Sequence, residues 1–297
     1  MTIYLKHFGL AEPPFNLTPD TDFLFSSKNF QQALNTLLFA LEFGEGFIKI
    51  TGEVGVGKTH LLRKLLRTLD NQKYLTACIL PNPEMEPEDF YRMFATEIGL
   101  TLEEKGGYHD FMAQFTRHMI SLGEAGKMLV LLVDEAQSLS DRTLESLRLL
   151  SNFETEKYKF LQVVLFAQPE LDDRLANSRI RQLRQRISFA HTMKPLSSEE
   201  THQYLEHRLR VAGATERVFH PAASRLIYSY SQGTPRVIHI IAHKSMMVAF
   251  GEGKKEVQKS HVQTAMKDSE WLEMASPWSL RGLFHRLRLF LTLGRAV

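Results

Sequence analysis

The run Gly52-Glu53-Val54-Gly55-Val56-Gly57-Lys58-Thr59 matches G-x-x-x-x-G-K-[ST], a spacing whose chemistry is phosphate binding. Glycines let a backbone curl so that successive N–H groups and a helix N-terminus face oxyanions. Lys58 is then placed to reach the β- and γ-phosphates, and the Thr59 hydroxyl to coordinate Mg²⁺. The expected cradle for ATP runs from Gly52 through His60. A glycine-rich turn that merely caps a helix is the other reading, and it leaves the Lys-Thr pair unexplained.

A second signal is the apolar run Met128–Val133 ending in Asp134-Glu135. Two carboxylates at the end of a buried strand sit where open α/β sheets bind ligands. Asp134 is expected to help hold Mg²⁺, and Glu135 to orient and polarise the attacking water. Gln168 ends the run Leu161–Ala167; it could bond the water or the γ-phosphate, or be an ordinary strand-end amide. The segment Arg179-Ile-Arg181-Gln-Leu-Arg184-Gln-Arg186 could supply an arginine to a neighbour's site, or be a solvated helical face or a basic patch.

These residues need a scaffold, and the sequence supplies an alternation. Strand-like runs at Gly46–Thr51, Tyr74–Leu80, Met128–Val133, Leu161–Ala167 and Ile187–Met193 are separated by helical patterns at Phe30–Phe43, Lys58–Leu69, Pro87–Ile98, Tyr108–Glu124 and Arg142–Phe153. Continuous apolar strands alternating with helices imply an α/β fold, a parallel sheet covered on both faces. After Pro195 the strand signal stops. Ser197 with Glu200 forms a capping box before Glu199–Val211, Pro221 opens another helix, and Pro235–Phe250 and Gln258–Glu273 follow. We therefore expect an α/β nucleotide-binding domain over 1–194, a helical lid over 195–273 and a tail over 274–297.

Hydrophobic residues at 43% and charged residues at 24% fit a folded globular chain, which excludes extended disorder. The N-terminus lacks a basic-then-apolar leader pattern and no apolar run is long enough to span a bilayer, so a cytoplasmic location is expected. The one cysteine, Cys78, lies in an apolar run and is expected to be buried and inert. The whole chain is +2, and the residues after Glu273 carry four arginines and no acid, so the rest is −2. Basic character is thus confined to the tail, which disfavours nucleic acid as a partner of the body. In that tail Leu280, Leu283, Phe284, Leu287 and Leu291 recur at helical spacing, with Arg281, His285, Arg288 and Arg295 on a separate stripe. Such a basic amphipathic helix suits peripheral contact with an anionic inner membrane, or docking on a protein. His239 and His243 are four apart with no third ligand in view, so a metal pair is disfavoured.

Several further runs carry a resemblance. They are His7-Phe-Gly-Leu, Pro14-Phe15, Leu17-Thr-Pro-Asp20, Asp134-Glu-Ala-Gln137, Leu144-Glu-Ser-Leu-Arg-Leu-Leu-Ser-Asn152, Gln168-Pro-Glu-Leu171, Gln182-Leu-Arg-Gln-Arg186 and Gly233-Thr-Pro-Arg236. With the phosphate loop they resemble AAA+ ATPases, specifically bacterial secretion ATPases of the ExeA/GspA type and their pilus-biogenesis branch, from His7 to about Asp268. The resemblance implies a P-loop NTPase with a helical lid, ATP hydrolysis with Mg²⁺, a homo-oligomer such as a hexamer, and pilus or secretion machinery as partners. It makes Gln168 the sensor-1 residue, where the wider class most often has Asn. Arg186, or else Arg184, becomes the finger acting across subunits, Arg236 the sensor-2 arginine, and the Phe8–Phe15 segment the part against adenine. The periplasmic peptidoglycan-binding region and membrane span of longer ExeA-type chains are not in this sequence. A DNA-transposition helper and a slowly turning nucleotide-dependent scaffold share this core and are the competing expectations.

Overall fold

Five runs become strands of one sheet: the central ones, Met128–Val133 and Leu161–Ala167, are covered on both sides, whereas Ile187–Thr192 at the edge alternates half-buried with exposed residues. The computed structural model describes residues 3–18, 20, 22–70, 73–81, 85–102, 107–151, 160–176 and 180–267. Strands β1 (Phe47–Thr51), β2 (Tyr74–Ile79), β3 (Met128–Val133), β4 (Leu161–Ala167) and β5 (Ile187–Thr192) form one sheet in the order β2-β3-β4-β1-β5. Every pairing is parallel. All seven residues of β4 are buried, as a central parallel strand requires.

The intervening helices are α1 (Lys28–Glu42), α2 (Lys58–Thr68), α3 (Pro87–Glu97), α4 (Tyr108–Glu124), α5 (Asp141–Leu150), α6 (Glu170–Leu175) and α7 (Arg181–Arg186). Helix α5 is nucleated by Ser140, whose Oγ accepts the Thr143 N–H at 3.1 Å. Phe90, Phe94, Phe111 and Phe115 are fully buried and join Leu131, Val163 and Leu165 in one core. At roughly 1.5–3 kcal/mol per buried large side chain, this cluster makes the sheet a rigid platform for whatever its edge carries. Strand order then decides the site: β4 lies between β1 and β3, so the carboxyl ends of all three adjoin. In register, Thr51 pairs with Ala167 and Val133 with Leu165.

The other unit contains α8 (Ser198–Val211), α9 (Pro221–Ser231), α10 (Pro235–Gly251) and α11 (Lys259–Lys267). The capping box at its start is formed in both directions: Glu200 N–H to Ser197 Oγ at 3.1 Å and Ser197 N–H to Glu200 Oε2 at 2.9 Å. Gly233, at φ 75°, turns the chain into α10, and any side chain there would strike the Leu196 backbone.

The compact unit formed by the sheet is Lys28–Lys194, and the residues up to Ser27, expected with the α/β domain over 1–194, group instead with Pro195 onward. The reason is apolar: Tyr4, Phe8, Leu10, Phe15 and Phe23 are buried in one core with Leu205, Ile227, Ile238 and Ile241. Polar anchors reinforce it. The Ala11 N–H donates to Ala212 O at 2.8 Å, and the buried Arg208 guanidinium lies over the Phe23 ring and donates to Pro14 O. The His239 ring contacts Asn16 O at 2.8 Å and Tyr204 Oη at 2.6 Å. A carbonyl only accepts, so Nδ1 carries the proton and Nε2 receives the tyrosine hydroxyl. Tyr4 Oη meets His243 Nδ1 at 2.7 Å. His239 and His243 are thus each engaged by a tyrosine, as expected of histidines satisfied within the helical unit.

Cys78 is half-buried rather than buried, and burial first, then the Asp134 charge, pushes its thiol up. No helix among the described residues is long and apolar enough to cross a membrane. The amphipathic tail lies outside the described residues.

Candidate functional site

The phosphate loop joins β1 to α2. Gly52 begins it with no room for a side chain: a Cβ there would lie 2.9 Å from Val56 Cγ2 and 3.0 Å from Met193 O. Its N–H is held by Ala167 O at 3.2 Å, which ties the loop to β4. Gly57 precedes α2 at φ 106°, a conformation that side chains resist. Lys58 is buried, and its ammonium donates to Gly52 O at 2.7 Å and to Glu53 O at 3.1 Å. Burial depresses its pKa against the upward pull of Glu135 and Asp134. The lysine therefore closes the loop on itself while staying within the field of the carboxylates that face it.

Thr59, the next residue, donates its hydroxyl to Asp134 Oδ2 at 3.0 Å. A hydroxyl and a carboxylate meeting at the sheet edge form a hard-oxygen pair of the kind Mg²⁺ takes. Burial raises the Asp134 pKa, partly offset by the Thr59 hydroxyl and the Glu135 N–H, the latter at 3.0 Å from Oδ1. This carboxylate costs folding energy that a bound cation would relieve.

Glu135 follows in a left-handed conformation, φ 51° and ψ 40°, and opens the 3₁₀ turn Ala136–Ser138. Its Oε2 accepts from Gln168 Nε2 at 3.0 Å and from Gln137 Nε2. Burial pushes its carboxyl up, but these two amides and the Lys58 ammonium outweigh it and leave the group below the ordinary glutamate range. The structure thus brings Lys58, Thr59, Asp134, Glu135 and Gln168 together.

The remaining candidates stand elsewhere. Arg186 is half-buried and donates to Ser151 Oγ at 2.9 Å, at the end of α5 in its own chain, while Arg184 is exposed on α7. Arg236 is exposed in the first turn of α10, in the helical unit. Two residues without an assigned role in the sequence touch this turn. Gln137 Oε1 accepts the Gln168 N–H at 3.0 Å, and Arg174 donates to Gln137 O at 2.7 Å and Leu139 O at 2.8 Å. The signal in the sequence was only that Gln137 follows the carboxylate pair by two; Arg174 carried none.

A loop that cradles phosphate, an oxygen pair that fits a divalent cation, and an ionised carboxylate beside them are the parts of an ATPase site. Comparisons agree with that chemistry. Residues 41–175 match the AAA domain model. General secretion pathway protein A of Aeromonas hydrophila is 36% identical over 276 residues, which is 93% of this chain and 50% of the relative. The chain thus spans half the length of the curated relative it matches. Among solved structures, the Aeropyrum pernix ORC2 protein gives a TM-score of 0.65 at 18% identity, over 89% of this chain and 75% of that one. A Walker-type ATPase of Pyrococcus abyssi gives 0.61 at 17%, over 93% and 79%. The fold is that of the AAA-type P-loop NTPases, and over nearly its whole length the chain is similar to General secretion pathway protein A.

Proposed function

We propose that the protein is an oligomeric ATPase that hydrolyses ATP to drive assembly of a secretion or type IV pilus apparatus at the inner membrane, in the manner of the MSHA pilus member MshM. The observation that carries the catalytic half is the continuous line of contacts from Thr59 through Asp134 to Glu135 and Gln168. The similarity to General secretion pathway protein A supports the biological half. In this reading the loop amides and Lys58 bind the phosphates, Thr59 and Asp134 hold Mg²⁺, and Glu135 accepts a proton from the attacking water. Mg²⁺ supplies charge neutralisation at the phosphates. Gln168 orients the water or the γ-phosphate, Arg236 reaches the γ-phosphate of its own subunit, and Arg186 or Arg184 completes the site of a neighbour in a homo-oligomer, a hexamer being one form. The Phe8–Phe15 segment lies against adenine, and the tail beyond residue 273 makes the membrane contact.

Two variants separate the roles. Lys58→Ala should abolish ATP binding, whereas Glu135→Gln should bind ATP normally and lose about 10²–10⁴-fold in kcat. Equal loss of affinity in both rejects the assignment. For the shared site, an Arg186→Ala subunit mixed with a Lys58→Ala subunit should recover activity that neither has alone. Full activity of a dilute monomer is the contrary result.

A further inference from the structure

Glu135 is the residue through which hydrolysis would run, and its two carboxylate oxygens are not equivalent. Oε2 receives two amide donors, from Gln168 and Gln137, while Oε1 carries no hydrogen bond among the described residues. A carboxylate pinned through one oxygen presents the other in a defined direction, which is what a general base needs.

Gln137 is the only side chain in this arrangement that works in both directions. Its Oε1 faces the Gln168 N–H, which can only donate, at 3.0 Å. Its Nε2 faces the Glu135 carboxylate, which when ionised can only accept. Neither end can be exchanged for the other, and a glutamate or methionine of the same length cannot make both bonds. Asparagine is a methylene shorter.

The turn that carries Gln137 is itself held from α6. Arg174 spreads its guanidinium over Gln137 O at 2.7 Å, Leu139 O at 2.8 Å and Asp141 Oδ1 at 2.6 Å. Within the turn, Ser138 N–H donates to Glu135 O at 2.8 Å. Left-handed backbone at a non-glycine residue persists only where its surroundings over-determine it, and Glu135 is in that conformation. The fork of Arg174 supplies that determination from the helix that follows Gln168.

We infer that Gln137, with its turn fastened by Arg174, is a positioning residue that pins Oε2 of Glu135 and leaves Oε1 to take the proton of the attacking water. The inference rests on the ATPase reading and deepens it. Arg174 acts on the base only through the turn, and Gln137 acts on it directly through its side-chain amide.

The test uses the full chain and steady-state hydrolysis of Mg·ATP. Gln137→Met keeps length and volume but neither bond; kcat should fall about 100-fold, the scale of an ångström-sized misplacement, with KM for ATP within about twofold of wild type. Arg174→Lys, which keeps the charge but not the fork, should fall about 10-fold with the same split. Gln137→Asn should not rescue, because it cannot span the two partners. Wild-type kcat in Gln137→Met, or a loss that appears in KM instead, overturns the positioning role while Glu135→Gln remains inactive. If Gln137→Met does not fold, wild-type kcat in Arg174→Lys overturns it equally. Glu135→Gln turning over at the wild-type rate would instead sink the ATPase reading, and the inference with it.

Discussion

The sheet edge that carries Gly52, Asp134 and Gln168 and the core of the helical unit both place polar side chains indoors, and they use them oppositely. At the sheet edge the polar atoms converge on one spot and stay available: an ammonium on its own loop, a desolvated Asp134, and a Glu135 with one oxygen open. In the helical unit the same kinds of atoms are spent on holding the chain. Arg208, Tyr204, His239, Tyr4 and His243 fasten residues 4–16 to α8 and α10. Buried polarity alone therefore does not mark a site; convergence on a common point with unsatisfied capacity does.

The largest expected effect breaks the first region by a single methyl. Gly52→Ala drives a Cβ against Val56 and the Met193 backbone, so ATP affinity should fall by more than about 100-fold, read by titration calorimetry. Retained affinity would mean that the loop is not the rigid cradle described. Next, Gln168→Ala should lower kcat by about 10- to 100-fold at unchanged KM, because it removes one of the two amides on Glu135. An altered KM instead would place Gln168 in ground-state binding.

In the second region the losses should appear in stability and not in nucleotide chemistry. Arg208→Met leaves the buried Pro14 carbonyl unsatisfied, which costs about 1–3 kcal/mol in a denaturant melt. ATP affinity corrected for the folded fraction should hold; a direct loss would show that Arg208 belongs to the site.

The smallest effect is a pH slope. Burial, joined by nearby arginines at His207, holds His243 and His207 below the ordinary histidine value of 6.5. The unfolded chain then binds protons more readily than the folded one. Their contribution to stability is full above about pH 6.5, falls as pH drops beneath it, and levels off below the folded values. His118 and His191 in the α/β unit are shifted the same way, so only a variant isolates the effect. His243→Gln should flatten the change in Tm between about pH 7.5 and about pH 5.5. An unchanged slope assigns the titration elsewhere.

Much of the scaffold was legible because it depends on local pattern. Strand runs such as Leu161–Ala167 are apolar end to end, and Ser197 with Glu200 announces its helix within four residues. The spacing of the phosphate loop and the carboxylate pair located the sheet edge for similar reasons. Helices α6 and α7, six residues each, are too short for a period to show. The placement of residues 3–27 depends on aromatic contacts more than 180 positions away, such as Phe15 with Phe219 and His239. The roles of Gln137 and Arg174 are not legible because their bonds reach over separations of 31 and 37 residues, and nothing in their immediate neighbours encodes that.

That the helical unit is built from two ends of the chain matters while the protein is being made. The ribosome delivers Tyr4, Phe8, Phe15 and Phe23 first, but their partners begin only at Pro195. At ~5–20 residues per second the early segment waits roughly ten to thirty seconds with its aromatic surface uncovered. Throughout that interval Lys28–Lys194 can complete its sheet as an uninterrupted piece of chain. Synthesis from the N-terminus should thus yield a protease-resistant α/β unit before any helical one, with the first residues a client for chaperones until α8 and α10 emerge.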